Sequence, residues 1–365
     1  MSYLIRAQSA LDTIAAQNRR RIVMAEEPSG VIDFSSNDYL GLAADARVVE
    51  ALRRADRVGS GGARLLGGRH HSHWELEEAL AANLGKERAL LFSSGYLAAI
   101  GAISVLSTLV GASYSDALNH ACLIDGLRLT KLPRTIYPHG RLPLRADRTA
   151  RSLIVTESIF SMDGDCVDLS AIVRDLGDDD VLLVDEAHAL GAVGENGAGL
   201  AAKLDDPRVV ILGTLSKAFG AQGGFVAGSE TLIELLINTA RTFIFDTAPV
   251  PAVSAAALAA LDISRSDRGL RESLHANVLR LRIGLKKLGV TTFDNPSPIV
   301  PVVLGDEQRA LEVAKRVRER GIYAPAVRPP TVPIGTSRLR ISVRADHTAQ
   351  QIDALLEALE CIGIS

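Results

Sequence analysis

The sequence predicts an α/β protein: a large domain on a mostly parallel sheet, followed by a smaller α+β domain. Three observations predict it. Apolar runs of strand length alternate with helical patterns through the middle of the chain. Most of these runs are near-continuous apolar, as strands covered on both faces must be. After about Asp262 the pattern changes to a long charged helix, a Pro-rich extended segment and a final strand and helix. The 365 residues suit two or three structural units, at roughly 100–200 residues each. They divide into an N-terminal helical segment (1–36), a large α/β domain (37–264) and a small α+β domain (265–365).

Residues 3–20 read as a helix, with Leu4, Ala7, Leu11 and Ile14 on one face. Strands are expected at 89–92, 134–138, 152–158, 181–188, 209–214 and 223–229, with helices at 73–85 and 232–241 between them. The C-terminal unit carries helices near 268–288, 306–320 and 347–362 and a strand at 338–344. Ala89 to Ser115 is uncharged and long enough to span a bilayer, but its Ser93-Ser94-Gly95 breaks it into a strand, a tight turn and a buried helix. No internal repeat and no long linker is visible.

Composition narrows the function classes. Hydrophobic residues make up 47% and charged residues 23%, which excludes a disordered or low-complexity chain. Forty basic residues against 43 acidic ones give a net charge of −3, so neither nucleic acid nor an anionic membrane is an expected partner. Cys122, Cys166 and Cys361 are scattered, odd in number and without metal-ligand spacing, which fits a reducing cytoplasm. The N-terminus has its basic cluster after the apolar positions and does not read as a signal peptide.

Ligand sites in open α/β sheets lie beyond the carboxyl ends of strands, and four places there carry chemistry. In VVILGTLSK an apolar run ends at Thr214, with Lys217 three residues on. Desolvation at a strand end would lower its pKa and make a usable amine nucleophile, although a surface lysine is the commoner reading of such a tetrapeptide. In VLLVDEAH the run ends at Asp185, with His188 beyond; alone this fits a Walker-B-like acid, a metal site or a structural ion pair. No P-loop motif precedes it. Ser93, Ser94 and Gly95 open a buried helix whose free amides suit a phosphate, or form an ordinary N-cap. Arg328 sits in a Pro-rich frame that suits a substrate carboxylate, or is a surface arginine. Together a desolvatable lysine, a buried acid, a phosphate cradle and a fixed arginine are what pyridoxal 5'-phosphate chemistry on an amino acid requires.

Nine segments in order then resemble one family: SSNDYLGLA (35–43), GSGGARLLGG (59–68), HWELEEALA (73–81), FSSGYLA (92–98), LNHACL (118–123), TESIFSMDGD (156–165), VDEAHALGAVGENGAG (184–199), TLSKAFGAQGG (214–224) and RPPTVPIGTSRLRIS (328–342). The chain resembles the α-oxoamine synthases, fold-type I pyridoxal phosphate enzymes of the aspartate-aminotransferase-like class, which condense an amino acid with an acyl thioester. RPPTVP is most similar to the branch that joins L-alanine to a pimeloyl thioester to give 8-amino-7-oxononanoate in biotin synthesis. The carrier would be CoA (pimeloyl-CoA) or a pimeloyl-carrier protein. A glycine-using relative, such as a 2-amino-3-ketobutyrate CoA ligase or a 5-aminolevulinate synthase, is the alternative.

The resemblance implies roles by position. Lys217 would be the Schiff-base lysine and the base for the Cα proton; Asp185 would pair with the ring nitrogen. His188 would bond the ring phenolic oxygen, and His120 would stack on the ring and contact substrate. Gly95 and Tyr96 would hold the phosphate with backbone amides. Ser161 and Thr214 would add hydroxyl contacts. Asn37 and Arg328 would contact the carboxylate, Thr331 would line the acyl side, and Arg19 would help hold the acyl substrate. A homodimer is implied too, with Thr247 of the 243–251 loop reaching the partner's phosphate. No metal is implied: His70, His71 and His73 read as loop and helix-start residues, and Asp178-Asp179-Asp180 as a solvated turn. Three departures from the family stand out. Ala189-Leu190 after the histidine would narrow the space beside His188. Asp246 would repel a phosphate unless it turns away. A small helix in 139–151 is missing.

Overall fold

The computed structural model describes residues 2–17, 19–21, 23 and 30–364. In chain order the elements are α1 (Tyr3–Ala16), β1 (Ile32–Asp33), α2 (Ala46–Arg53), α3 (His71–Leu84), β2 (Arg88–Phe92), α4 (Gly95–Leu106), β3 (Ala112–Asp116), α5 (Ala121–Arg128), β4 (Arg134–Tyr137), β5 (Ser152–Glu157), α6 (Leu169–Arg174), β6 (Val181–Asp185), β7 (Val209–Thr214), β8 (Gly224–Gly228), α7 (Glu230–Thr239), α8 (Arg241–Ile244), α9 (Pro251–Ser266), α10 (Arg268–Lys287), β9 (Ile299–Gly305), α11 (Glu307–Arg318), β10 (Ile322–Tyr323), β11 (Ala326–Val327), β12 (Ser337–Ser342) and α12 (Ala349–Cys361).

Seven strands form one sheet in the order β2-β8-β7-β6-β5-β3-β4. Only β8 runs against its neighbours; the other strands run the same way. Alternation explains why the continuous apolar runs are needed. Leu153, Val155, Leu183, Leu212 and Val226 pack on one face with α4, α5 and α7. Ile154, Leu182, Val184, Ile211 and Phe225 pack on the other with α3 and α9. Each such side chain contributes roughly 1.5–3 kcal/mol of burial. The common direction has a functional result: Asp116, Glu157, Asp185 and Thr214 end their strands at one edge, and Phe92 ends β2 there too.

The C-terminal sheet is antiparallel, in the order β11-β12-β9. Leu339 and Ile341 of β12 enter the core, so period two sends Arg338, Arg340 and Ser342 to the opposite face. The N-terminal segment is bound to this unit. β1 pairs in parallel with β10, and the amides of Ser342 and Ala345 donate to Phe34 and Tyr39 carbonyls at 2.8 Å each. That lays residues 32–39 across to the sheet edge.

Several expectations need correction. β3 was hidden because ASYSD contains no apolar run, yet all five of its residues are buried. Its polar groups are satisfied internally, as when Asn119 donates to the Ser115 hydroxyl at 3.0 Å. The helix α5 is only eight residues long, too short for its pattern to stand out, and α9 is rich in alanine. The run at 134–138 is not covered on both faces: β4 is an edge strand with Arg134, Thr135 and Ile136 exposed. Asp178 and Asp179 are solvated, but Asp180 is not; it is buried and accepts from the Ser152 and Gly177 amides at 2.8 Å and from buried Arg148 at 3.3 Å. It caps the start of β5, where a free amide would otherwise be unpaired. His70 caps α3, and His71 and His73 begin it, as expected. Among the described residues no helix is long and apolar enough to cross a membrane.

One clamp fixes the loop after β3. His139 bonds Asp116 at 2.9 Å through Nδ1 and Asp165 at 2.6 Å through Nε2. Asp116 also accepts from the Leu118 and Gly140 amides at 2.8 and 2.9 Å. The bonds to Asp116 and Asp165 push the His139 imidazolium from 6.5 up to about 10, against partial burial. A raised folded-state value means stability present in full below the unfolded pKa and lost as pH rises through the folded one. Urea unfolding of the wild type should therefore show stability falling between pH 6.5 and about 10, and His139→Gln should flatten that slope. An equal slope in both proteins would remove the clamp from the account.

Candidate active site

A pocket of about 260 Å³ opens at the carboxyl edge of the large sheet. Gly95, Tyr96, His120, Asp185, His188, Thr214 and Lys217, all singled out from sequence, line it. So do Cys122 and Glu157, which were not.

Lys217 stands three residues beyond β7 in a tight turn. The Gly220 amide donates to its carbonyl at 2.8 Å, and Leu215 is tied to Gly223 at 3.0 Å. Its Nζ lies 2.9 Å from His188 Nε2. Burial pushes the ammonium below its ordinary range; Asp185 and Glu157 oppose this, and Arg340 adds to it. The net effect favours the free amine. Asp185 is buried, with Oδ1 accepting from the Ala187 amide at 2.9 Å and Oδ2 lying 3.9 Å from the Cys122 thiol. Glu157 pairs in register with Asp185 on the adjacent strand. Burial, and then the Asp185 charge, raise its carboxyl well above the usual range. It accepts from the His120 amide at 2.6 Å and so anchors the loop that presents the His120 ring. His188 is buried, and its desolvation, with Lys217, Arg340 and His120 nearby, pushes it well down, so the imidazole is neutral.

The other end of the pocket is the start of α4. Ser94 caps it, accepting from the Leu97 amide at 3.2 Å. Gly95 and Tyr96 hold first-turn positions, where amides have no intrahelical acceptor. β8 passes very close: a Cβ on Gly224 would overlap the Gly95 amide nitrogen. Thr214 is fixed by bonds to Ser216 Oγ at 2.8 Å and the Gly223 carbonyl at 3.0 Å.

A second arginine, Arg340, acts electrostatically on His188 and Lys217. Asn37 Oδ1 accepts from Arg340 at 3.0 Å. Arg340 also donates to the Ser161 carbonyl at 2.6 Å and Ser342 Oγ at 2.7 Å, and it is buried. Neither Arg328, which follows β11, nor Arg340 is among the residues that line the pocket. Within RLRIS the burial of Leu339 and Ile341 puts Arg338 and Arg340 on one face; Arg338 binds the Met162 carbonyl and Asp163 instead. Arg19 pairs with Glu307 at 3.4 Å, while Arg21 reaches the Thr331 hydroxyl at 3.2 Å. Ser161 meets the site through its carbonyl, and Thr247 is exposed outside the pocket. Asp246 accepts from the Thr247 amide in its own loop and from Ser93 Oγ in the turn that precedes α4. Ala189 and Leu190 are packed in the core and do not line the pocket beside His188.

An amine between a buried acid and a helix N-terminus on a mostly parallel sheet defines the class, and the family comparison agrees. Residues 29–359 match the model of the aminotransferase class I and II family, and the chain belongs to that family. Among its relatives is the 8-amino-7-oxononanoate synthase of Saccharophagus degradans, 42% identical over 98% of this chain and 96% of its own length. Among solved structures, a serine palmitoyltransferase variant from S. paucimobilis with bound PLP-myriocin aldimine superposes with a TM-score of 0.87 at 29% identity, covering 100% of both chains. The 8-amino-7-oxononanoate synthase of Francisella tularensis superposes with a TM-score of 0.78 at 27% identity, covering 92% of this chain and 98% of its own. The resemblance read from the nine motifs is borne out by these relatives.

The close approach at Gly224 makes a direct test of the cradle. Gly224→Ala should destabilise the chain by about 1–3 kcal/mol in urea unfolding, because α4 must shift. Gly228→Ala on the same strand meets only the flexible Leu232 tip and should cost less.

Proposed function

We propose that this chain is a pyridoxal 5'-phosphate-dependent acyltransferase. It condenses L-alanine with a pimeloyl thioester, releasing CO2 and the thiol, to give 8-amino-7-oxononanoate for biotin synthesis. One observation carries the reading: the Lys217 amine, the Asp185 carboxylate and the first-turn amides of α4 open into one pocket. The donor set fits the cofactor. An acid stands where a ring nitrogen needs its proton kept, amides stand where a phosphate dianion needs donors, and an amine of lowered pKa lies with them.

Bound there, the cofactor supplies a sink for the electron pair left when the Cα proton is removed. The protein residues do the rest. Lys217, its ammonium pushed below the ordinary range by burial, takes and returns the Cα proton. Asp185 keeps the ring nitrogen protonated, and His188 presents a neutral ring nitrogen beside the Lys217 amine. Glu157 holds His120 over the pocket through its backbone amide. Arg340, fixed by Asn37, Ser161 and Ser342, has its Nη2 outside these bonds and takes the alanine carboxylate. Thr331 and Arg21 line the acyl side. Holding both substrates at one face makes a bimolecular step effectively unimolecular. We further read the protein as a cytoplasmic homodimer in which Thr247 reaches the partner's phosphate, with units 1–36, 37–264 and 265–365.

The test is a product assay by mass with L-alanine, glycine or L-serine, paired with pimeloyl-CoA or a pimeloyl-carrier protein. Alanine should give 8-amino-7-oxononanoate fastest. Faster turnover of glycine would favour a glycine-using relative, and no product from any pair would overturn the reading. Lys217→Ala should lose the visible absorbance of the loaded protein. Arg340→Ala should raise the alanine KM by about tenfold or more, as expected for a lost charged hydrogen bond, whereas Arg328→Ala should change it less.

A further inference from the structure

Behind His188, away from Lys217, a chain of polar groups runs to Arg340 through Tyr39, a residue to which the proposed reaction gives no role. The Tyr39 hydroxyl is 2.6 Å from His188 Nδ1 and 3.1 Å from Asn37 Oδ1. Asn37 Oδ1 is in turn 3.0 Å from Arg340 Nη1. Tyr39 is fully buried, so each of these contacts must be settled within the protein.

The donors can be assigned by counting hydrogens. Arginine only donates, so the Asn37 atom facing it must be the carbonyl oxygen, which only accepts. Tyr39 has one hydroxyl hydrogen to share between Asn37 and His188. If it went to His188, two oxygen lone pairs would face each other at Asn37. If it goes to Asn37, the phenol oxygen is free to accept from His188 Nδ1–H. His188 Nε2 then carries its lone pair toward Lys217 Nζ, which is a donor. Only this direction gives every contact one donor and one acceptor.

We propose that Tyr39 is a positioning residue that places the His188 proton on Nδ1 and links that choice, through Asn37, to Arg340. Which imidazole nitrogen bears the proton is set by the partner of the other nitrogen. Burial opposes an imidazolium first, and then positive charge on the groups that face the ring, Lys217, Arg340 and His120. Burial also pushes the Tyr39 phenol up to about 12, against the pull of Arg340, so it remains a hydroxyl. The consequence is a coupling. A carboxylate that neutralises Arg340 leaves Asn37 Oδ1 a stronger acceptor for Tyr39. Tyr39 then accepts more strongly from Nδ1–H, and Nε2 becomes more basic beside the lysine. Occupancy at the carboxylate end is thereby felt at the amine end. This coupling rests on the proposed reaction; the tautomer does not.

The experiment is ¹⁵N NMR of the histidine-labelled full chain before and after loading with pyridoxal phosphate, with His188→Gln used to assign the resonance. Before loading, the wild type should be protonated at Nδ1. Tyr39→Phe removes the acceptor for that proton, and Asn37→Ala frees the tyrosine to donate to Nδ1. Both should move the proton toward Nε2. Propionate, a carboxylate without an amine, should shift the wild-type His188 resonance and shift it less in either variant. After loading, both variants should change the protonation constant of the visible band by roughly threefold or more. A wild-type His188 protonated at Nε2, or variants whose resonance and band match the wild type, would overturn the inference. A chain that binds no pyridoxal phosphate would instead overturn the proposed reaction, and the tautomer measured before loading would still decide this one.

Discussion

The reactive edge depends on one amine held between desolvation and two carboxylates. Burial alone would drive Lys217 far from its ordinary range; the charges of Asp185 and Glu157 restrain it. Those two acids are neighbours because β5 and β6 run parallel in a fixed register that pairs Glu157 with Asp185. A one-residue slip of either strand would turn its own acid to the other face and separate the pair. Packing of Ile154, Leu182 and Val184 on one side, and of Val155 and Leu183 on the other, is what forbids the slip. The apolar runs therefore serve the chemistry as directly as the charged residues do.

Much of this arrangement was legible in the sequence. The strands with continuous apolar runs were visible, and so was the rule that polar residues just after them meet at one edge. That rule found Asp185, His188, Thr214 and Lys217. It applies equally to Glu157, the last residue of β5, whose place inside the expected strand 152–158 hid it as an end residue. β3 could not be seen in this way. ASYSD is buried by its place between β5 and β4 rather than by its own hydrophobicity. Arg340 was missed for a different reason. Arg328 is framed by prolines and looks fixed, whereas Arg340 lies inside a strand, and its orientation follows only once Leu339 and Ile341 are assigned to the core.

Position along the chain also says little about which residues cooperate. Asn37 and Tyr39 lie just after β1, His188 and Lys217 just after strands of the large sheet, and Arg340 in the penultimate element. They meet because β1 pairs with β10 and the carbonyls of Phe34 and Tyr39 accept from Ser342 and Ala345. No local periodicity announces such pairings, since each is only a residue or two long. The N-terminal arginines show the same effect. Arg19 and Arg21 are two positions apart, yet one is taken by Glu307 and the other reaches Thr331.

The parallel pairing of β1 with β10 also bears on the order of assembly. Residues 32–33 gain their strand partner only after residues 322–323 have been synthesised. During translation the early segment must wait, unpaired, while the large sheet forms ahead of it. Contacts of such long sequence separation carry a high loop-closure cost and form late. The site thus gains its arginine only after residues 322–342 have been made, so a nascent chain that stops short of them would hold the lysine and its acids without the arginine.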